Sequence, residues 1–228
     1  NNWIAKQLPG QPDVEMIHST YKDNPFLDGA YIALLEGLIR EDPNYYRIYV
    51  LGEWGKLENL IWPRYKVVDE WPKEVEAWAY GLDFGYVNPT ALIRAGVRQD
   101  EVYLDECIYE AKLTNADLIE RLTHLPRADI YADSAEPQRI EEIIRAGFMT
   151  YPAEKDVKLG LDLVNRQHLC ITRDSVNLLK EIRGYQRKRT KDGRVLEEPV
   201  KWNDHLMDAM RYVLYGIIKR FGFPTAST

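Results

Sequence analysis

Apolar and polar positions divide the chain into a helical first part and a longer part in which strands and helices alternate. Asp28 suits the N-cap of a helix over Gly29–Arg40. An Asp-Pro pair then supplies a cap and a first-turn proline for a second helix over Asn44–Trp54. We therefore expect a helical lead-in over residues 1–65 and a separate domain over residues 66–228.

The second part begins with runs typical of strands and continues with alternating helices and strands. The first three runs are Trp78–Phe84, Thr90–Val97 and Glu101–Tyr109, and a hairpin-length turn joins the last two. The elements expected after them are a helix from a Thr114 cap to His124, strands at Ile130–Asp133, Phe148–Tyr151 and Leu169–Thr172, helices at Glu136–Ala146, Val157–Arg166 and Ser175–Arg183, and a last helix from Asn203 or Asp204 to Arg220.

This order of elements predicts the fold class. Hairpins first and β-α alternation afterwards indicate an α/β fold in which a mixed central sheet is flanked by helices. Functional groups in such sheets gather at strand ends, beside a switch in strand order. Asp83 and Asp133 both end apolar runs, so we expect them at such an edge.

Composition excludes several classes of protein. A chain of 228 residues with 15 Tyr, 6 Trp and 5 Phe has ample material for a folded core. No stretch is long and apolar enough for a membrane span, so we expect no membrane partner. Cys107 and Cys170 lie in apolar runs, which favours buried free thiols over a disulfide. The chain begins without Met, and we interpret it as a piece of a longer protein.

Three aspartates are candidates for metal-dependent nuclease chemistry. Asp83 and Asp133 end apolar runs, and Asp208 lies on the last predicted helix. Three converging carboxylates can hold two divalent cations for phosphodiester cleavage. Each aspartate also has an ordinary interpretation, because Asp83 and Asp133 suit turns or caps and Asp208 projects opposite an apolar stripe, as on a solvated face.

Two neighbours favour the functional interpretation. Asp204, His205 and Asp208 fall within one helical turn and can reach a common point. A histidine three residues before an aspartate suits a metal ligand, or an acid or base beside one. Gly81 and Gly85 flank Asp83, and they allow another backbone or a phosphate to approach closely.

A basic segment predicts the contact with nucleic acid, although the net charge of −6 argues against nonspecific coating of DNA. Residues 183–194 carry six positive charges and one negative, and Asp192-Gly193 predicts a hairpin turn within them. The alternative is a solvated surface hairpin, and for Lys158 an ordinary helix lysine. The candidate phosphate contacts are Arg187, Lys188, Arg189, Lys191, Arg194 and Lys158.

In order along the chain, several motifs carry a resemblance to a known family. The chain resembles the C-terminal nuclease domain of the large terminase subunit of tailed bacteriophages, which has the RNase H-like fold. The similarity spans nearly the whole sequence. The motifs are Ser19–Pro25 and Tyr49–Gly55 in the lead-in, Gly81–Gly85 with Asn88–Thr90, Ala132–Pro137, and Asn203–Tyr212.

The resemblance implies Asp83, Asp133 and Asp208 as ligands of two Mg²⁺ or Mn²⁺ ions, with Asp204 and His205 beside them. As a hypothesis, Asp83 bridges both ions. The expected activity is cleavage of double-stranded DNA concatemers during packaging, in the host cytoplasm. A β-hairpin near the active site, and partnership with the terminase ATPase domain, small terminase subunit and portal protein, are also implied. No Walker A motif occurs, so we expect no ATP hydrolysis by this chain.

Three other classes stay open from the residues alone. A junction resolvase, RNase H or transposase shares the same metal chemistry. In an actin-like phosphotransferase, Asp83-Phe-Gly85 would form a phosphate-binding hairpin. That fold needs a second, glycine-rich phosphate loop, and the candidate loop at Asp133 has no glycine. A DNA-binding module with structural aspartates would bind DNA without metal and would not cleave it.

Overall fold

The computed structural model describes residues 11–41, 46–48, 50–53, 59–190 and 192–222. These residues form two compact units. One contains the residues up to Asn59 together with Gln186–Val200. The other contains Leu60–Tyr185 and the residues from Lys201 onward. The predicted boundary at residue 65 stays a prediction.

The first unit contains the expected lead-in helix, α1 (Gly29–Glu41). Its N-terminus forms as predicted, because Asp28 Oδ1 accepts a hydrogen bond from the Tyr31 amide at 2.7 Å. A single 3-10 turn, Tyr21–Asp23, precedes α1 and begins with a capping box from Thr20. The predicted helix over Asn44–Trp54 falls largely outside the described residues; residues 46–48 are helical and residues 50–53 are not.

The basic hairpin also belongs to the first unit. Its strands pair antiparallel, with Arg187 opposite Pro199 and Arg189 opposite Val195. Gly193 adopts a φ of +86°, as the predicted turn requires. The hairpin prediction is therefore confirmed.

The second unit is built on a seven-stranded sheet in the order β1-β7-β4-β3-β2-β5-β6. β3 runs antiparallel to both its neighbours, and the other neighbours are parallel. The three residues of β1 were not predicted, because they are too few to show a period. The strands of both units are β1 (Lys66–Val68), β2 (Ala77–Asp83), β3 (Thr90–Arg98), β4 (Glu101–Glu110), β5 (Ile130–Ala132), β6 (Thr150–Pro152), β7 (His168–Thr172), β8 (Arg187–Arg189) and β9 (Val195–Pro199).

Helices cover both faces of the sheet. On one face the buried cluster includes residues of α4, α5 and α6, and on the other it includes residues of α2 and α3. This confirms the predicted α/β class with a mixed, helix-flanked sheet. The helices are α2 (Asn115–Thr123, capped by Thr114), α3 (Pro137–Arg145), α4 (Val157–Asn165), α5 (Val176–Gly184) and α6 (His205–Phe221).

α6 is buried on nearly all sides, which removes one alternative that the sequence left open. That alternative gave the helix an apolar stripe with Asp208 on an opposite, solvated face. Residues from Leu206 to Ile217 are buried except at Asp208 and Tyr215, which are half-buried. The helix packs across the sheet and between neighbouring helices, so its polar positions lie inside the protein. In the described part of the chain, no helix is long and apolar enough to cross a membrane.

Candidate active site

Two parallel strands bring the first two candidate aspartates to the same edge of the sheet. Leu82 of β2 pairs with Ala132 of β5. Asp83 is the last residue of β2, and Asp133 comes directly after β5. The Asp133 amide donates to the Leu82 carbonyl at 2.9 Å, which holds the two strand ends together. The expected placement at one sheet edge is therefore correct for both residues.

The first turn of α6 brings the other candidates to Asp83. Asp204 is the N-cap residue, and His205 and Asp208 lie in the first turn. His205 Nδ1 lies 3.0 Å from Asp83 Oδ2, so a protonated Nδ1 donates to that carboxylate. Asp83 is 8% exposed and sits within the β2–β3 ladder. The turn-former interpretation of Asp83 is therefore wrong.

The close approach of α6 to β2 depends on one glycine. A Cβ added at Gly81 would stand 1.9 Å from the Ala209 carbonyl oxygen and 3.0 Å from Val213 Cβ. Any side chain at this position would push α6 away from the sheet. The expectation that Gly81 admits another backbone is confirmed, and that backbone belongs to the helix that carries Asp208.

Each of the three candidate carboxylates is bonded to a basic side chain of the protein. Asp83 pairs with His205, Asp133 Oδ1 lies 2.7 Å from Lys155 Nζ, and Asp208 Oδ1 lies 2.5 Å from Arg211 Nη2. The side chain of Asp208 is 28% exposed and that of Arg211 only 4%. Asp208 thus belongs to a largely buried ion pair, and the solvated-face alternative is wrong.

Asp133 also retains part of its ordinary role. Its Oδ1 accepts from the Ala135 amide at 3.0 Å, as an aspartate does in a turn. It does not cap α3, because the N-cap residue of that helix is Glu136. The turn orients the Asp133 carboxylate, and Lys155 balances its charge.

Burial and neighbouring charges shift the pKa values of Asp83, Asp204 and His205. Burial raises the pKa of Asp83, the His205 contact lowers it, and the charges of Asp208 and Asp133 raise it further. Burial and the charge of Asp208 raise the pKa of Asp204 to about 7. Burial lowers the pKa of His205, but the bond to Asp83 and nearby carboxylates outweigh burial and raise it overall. The aspartates are therefore close enough for their charges to interact.

A buried glutamate fixes the start of α6. Glu181 of α5 is 5% exposed, and its Oε2 accepts from the amides of Leu206 and Met207 at 2.8 and 3.4 Å. These amides lie in the first turn of the helix, where no helical carbonyl is available to them. Burial raises the pKa of Glu181 to about 8. Glu181 therefore positions the turn that carries His205 and Asp208.

Sequence reasoning missed Lys155, Arg211 and Glu181, although two of them leave a signal. Lys155 follows β6, a third parallel strand whose end lies at the same edge as Asp83 and Asp133. Arg211 lies three residues after Asp208, a spacing at which opposite charges pair on a helix. Glu181 lies on the apolar face of α5. Its role becomes visible only in the structure, where it bonds to the first turn of α6.

The donor chemistry of the site suits a hard divalent cation. Carboxylate oxygens are the ligands that Mg²⁺ and Mn²⁺ prefer. In the described residues, no three histidine, cysteine, aspartate or glutamate side chains already form a metal-binding group. The carboxylates instead pair with Lys155, Arg211 and His205, so side-chain rotation has to accompany metal binding here.

The candidate DNA contacts lie in two places. In the hairpin, Arg187 Nη1 donates to the Glu197 carbonyl at 3.1 Å, and Arg194 pairs with Asp192 at 3.0 Å. Lys188 and Arg189 also belong to the hairpin, and Lys158 lies in α4 of the second unit. Lys191 lies outside the described residues. Their expected role in binding phosphate, and the expected position of the hairpin near the active site, stay predictions.

Both cysteines are free, as expected. Cys170 of β7 is buried and Cys107 of β4 is half-buried. Burial raises the pKa of the Cys107 thiol to about 12 and that of Cys170 to about 11. Thiols with such pKa values are weak nucleophiles at neutral pH.

Comparison with known families identifies the class of protein. Residues 83–215 match the family described as Terminase RNAseH like domain, and residues 2–53 match the family described as Phage terminase large subunit. The first match covers more than half of the chain and contains all the candidate ligands. The chain therefore belongs to the terminase RNase H-like family, and it corresponds to the C-terminal nuclease domain of phage large terminase subunits.

Among curated proteins, the chain is similar to the PBSX phage terminase large subunit of Bacillus subtilis (strain 168). The two are 28% identical over 214 residues, which cover 86% of this chain and 49% of that protein. It is also similar to the terminase large subunit of Bacillus phage SPP1, with 27% identity over 97% of this chain and 57% of the relative. The chain thus spans about half the length of the curated relatives it matches.

Solved structures show the same fold. The large terminase nuclease domain of bacteriophage SPP1 aligns with a TM-score of 0.59 and 22% identity, over 68% of this chain and 97% of that domain. The large terminase nuclease of the thermophilic phage G20c aligns with a TM-score of 0.52 and 15% identity, over 69% of this chain and 98% of that nuclease. The predicted RNase H-like fold is confirmed.

Proposed function

We propose that this chain is a divalent-metal-dependent endonuclease that cleaves double-stranded viral DNA concatemers during genome packaging. The observation that carries the proposal is the meeting of Asp83, Asp133 and the first turn of α6 at one sheet edge. Family membership supports a nuclease, and the crowding of charge around Asp83 supports a site built to receive cations.

Asp83, Asp133 and Asp208 are the residues that we assign to hold two Mg²⁺ or Mn²⁺ ions, with Asp204 as an adjacent ligand. When bound, such ions activate the attacking water and stabilise the leaving 3′-oxygen. The SPP1 nuclease domain was solved with bound manganese and the nuclease of phage G20c with bound cobalt, which supports divalent-metal use. For this chain we propose Mg²⁺ or Mn²⁺ as the metal.

The protein's own groups prepare the site. His205 donates to Asp83 Oδ2 and orients the carboxylate that we place at the centre of the site. Arg211 holds Asp208 in one orientation from inside the protein, and Lys155 balances Asp133 from a half-exposed position. These basic groups offset the repulsion among three neighbouring carboxylates.

The substrate contacts outside the site follow from the basic segment. We assign Arg187, Lys188, Arg189, Lys191 and Arg194 of the hairpin, with Lys158, to the phosphate backbone. Phosphate contacts carry no base information, so binding is expected to be salt-dependent and largely indifferent to sequence. Cleavage with little sequence preference follows from that mode of binding.

The wider setting is also a proposal. Because the curated relatives are about twice as long as this chain, we infer that it acts beside a terminase ATPase domain. We further propose the small terminase subunit and the portal protein as partners, and the bacterial host cytoplasm as its location.

A second candidate function is a DNA-binding module in which the aspartates are structural. The observation in its favour is that each of the three carboxylates is already bonded to a basic side chain of the protein. This alternative predicts that DNA binding is the same with EDTA and with Mn²⁺, and that no strand is cut.

Supercoiled plasmid cleavage separates the two functions. The chain is incubated with plasmid in Mn²⁺, Mg²⁺, Ca²⁺ or EDTA, and nicked and linear products are quantified on gels. The proposed endonuclease nicks and linearises plasmids of unrelated sequence in Mn²⁺ or Mg²⁺ but not in EDTA. Intact plasmid in every metal, with binding retained in a gel-shift assay, would support the module instead.

A further inference from the structure

We propose that Tyr86 and Val87, at the tip of the turn that follows Asp83, make an apolar contact with the groove of double-stranded DNA bound at the candidate site. The inference rests on the proposed function, because it takes DNA to be the molecule that reaches Asp83. It concerns a surface that none of the predicted DNA contacts includes.

The turn exposes two large apolar side chains beside a buried polar site. Tyr86 is 57% exposed and Val87 is 74% exposed. On both sides of the turn the chain is buried, since β2 ends in Leu82 and Asp83 and β3 begins with Thr90 and Ala91. Single exposed apolar residues are common on protein surfaces, but an adjacent pair on a fixed turn beside a site is a candidate contact.

The backbone of the turn is held rigidly in place. A Cβ at Gly85 would stand 2.4 Å from the carbonyl oxygens of both Asn88 and Pro89, so the turn closes only with glycine there. Thr90 Oγ1 donates to the Gly85 carbonyl at 2.7 Å and accepts from its amide at 3.2 Å. The Lys112 amide donates to the Tyr86 carbonyl at 2.6 Å.

A cation–π contact fixes the base of the turn from the other side. The Arg139 guanidinium lies over the Phe84 ring, 4.4 Å from its centroid. Phe84 is therefore held against α3, while the tip residues two and three positions further on remain in solvent. A rigid tip loses little conformational entropy on binding, so its apolar burial contributes to affinity rather than to ordering the loop.

Position and charge identify DNA as the partner of this tip. Three or four residues span at most about 13 Å, so the tip lies within about four base pairs of any phosphate seated at Asp83. Lys112 is exposed beside the tip, and within the described residues it has no carboxylate partner. Glu110, two residues before it, pairs with Arg121. An apolar tip flanked by an unpaired ammonium suits deoxyribose and base edges next to a phosphate.

The test compares two double variants of the chain in a DNA-binding titration. The first is Tyr86→Ser with Val87→Ser; the matched control is Met149→Ser with Val176→Ser, two apolar residues that are 61% and 66% exposed elsewhere. Affinity for a fluorescent 30-base-pair duplex is measured by anisotropy in EDTA across a range of salt concentrations. Circular dichroism melting verifies that all the proteins are folded.

We expect the tip variant to bind about tenfold more weakly at every salt concentration, because it loses apolar burial. The slope of log affinity against log salt should stay that of the wild type, since no phosphate contact is lost. Lys112→Met should instead make that slope shallower by about 0.9, because one phosphate contact is lost. The control variant should bind as the wild type does.

The inference is overturned if the tip variant binds as tightly as the control, or if the wild-type chain does not bind the duplex. The proposed nuclease function fails separately, if wild-type chain that binds the duplex leaves plasmid intact in Mn²⁺ and Mg²⁺. If the tip variant loses affinity and the wild type does not cleave plasmid, the proposed DNA contact of Tyr86 and Val87 is supported and only the proposed nuclease activity is refuted.

Discussion

Gly81 of β2 lies directly beneath the carbonyl group of Ala209 in α6, so closely that a Cβ at Gly81 would stand 1.9 Å from that oxygen. Ala209 follows Asp208, and Gly81 lies two residues before Asp83. This one backbone contact therefore sets how near the helix aspartate comes to the strand aspartate. The geometry of the candidate site depends on a residue that has no side chain.

Gly81→Ala should lower the free energy of unfolding by about 3 kcal/mol, since the new methyl group meets backbone rather than a flexible side chain. It should also abolish plasmid cleavage by separating Asp208 from Asp83. Urea denaturation measures the first effect. Gly37→Ala in α1 is the matched control, because nothing lies within 4 Å of a Cβ added at Gly37. This variant should have the same free energy of unfolding as the wild type or a slightly higher one. Equal stability of both variants would contradict the packing described above.

Neutralising Asp208 should lower the free energy of unfolding more than neutralising Asp133. Asp208→Asn leaves the buried Arg211 guanidinium without its carboxylate and should cost about 3 kcal/mol. Asp133→Asn leaves a half-exposed Lys155 that water can solvate, and should cost less than about 1 kcal/mol. Urea titrations in EDTA measure both. A smaller loss for Asp208→Asn than for Asp133→Asn would refute the buried pair.

Glu181 should make stability depend on pH. Its pKa is about 8 in the folded protein against an ordinary value of 4.5, so the folded state keeps a proton that the unfolded state releases. Its contribution is fully present below pH 4.5 and is lost as pH rises through 8. Asp204, with a pKa of about 7, acts in the same direction.

Glu181→Gln should therefore make the unfolding free energy fall less steeply between pH 5 and 8, by at most about 1.4 kcal/mol per pH unit. The amide keeps an oxygen to accept from the Leu206 amide, so the helix start is preserved. Urea titrations at four pH values in EDTA provide the comparison. Parallel curves for wild type and variant would show that Glu181 is ionised throughout.

Lys155 should compete with metal for Asp133. Lys155→Met removes the ammonium that lies 2.7 Å from Asp133 Oδ1, and should tighten Mn²⁺ binding several-fold. Isothermal titration calorimetry measures the affinity without any DNA. Lys180→Met, at an exposed lysine of α5, is the matched control and should change nothing. Weaker Mn²⁺ binding by Lys155→Met would show that Lys155 supports the metal site instead.

The sequence predicted the elements of the second unit well, and it placed Asp83 and Asp133 at one sheet edge. Strand and helix periodicity carries such information, because a strand end after an apolar run is visible locally. The solvated-face alternative for Asp208 stayed open, since helical periodicity cannot show that α6 is enclosed on nearly all sides. Lys155 and Glu181 were missed because their roles depend on contacts between segments that are distant in sequence.

The central claim is that Asp83 is the centre of a metal-dependent nuclease site, and cleavage by Asp83→Asn tests it most directly. Purified wild type, Asp83→Asn and the exposed control Asp162→Asn are compared on supercoiled plasmid in Mn²⁺. We predict cleavage by wild type and Asp162→Asn, and a loss of about 100- to 1,000-fold in Asp83→Asn with its fold retained, the size of effect seen when a charge-stabilising catalytic group is removed. Cleavage by Asp83→Asn at the wild-type rate would contradict the assignment of the site.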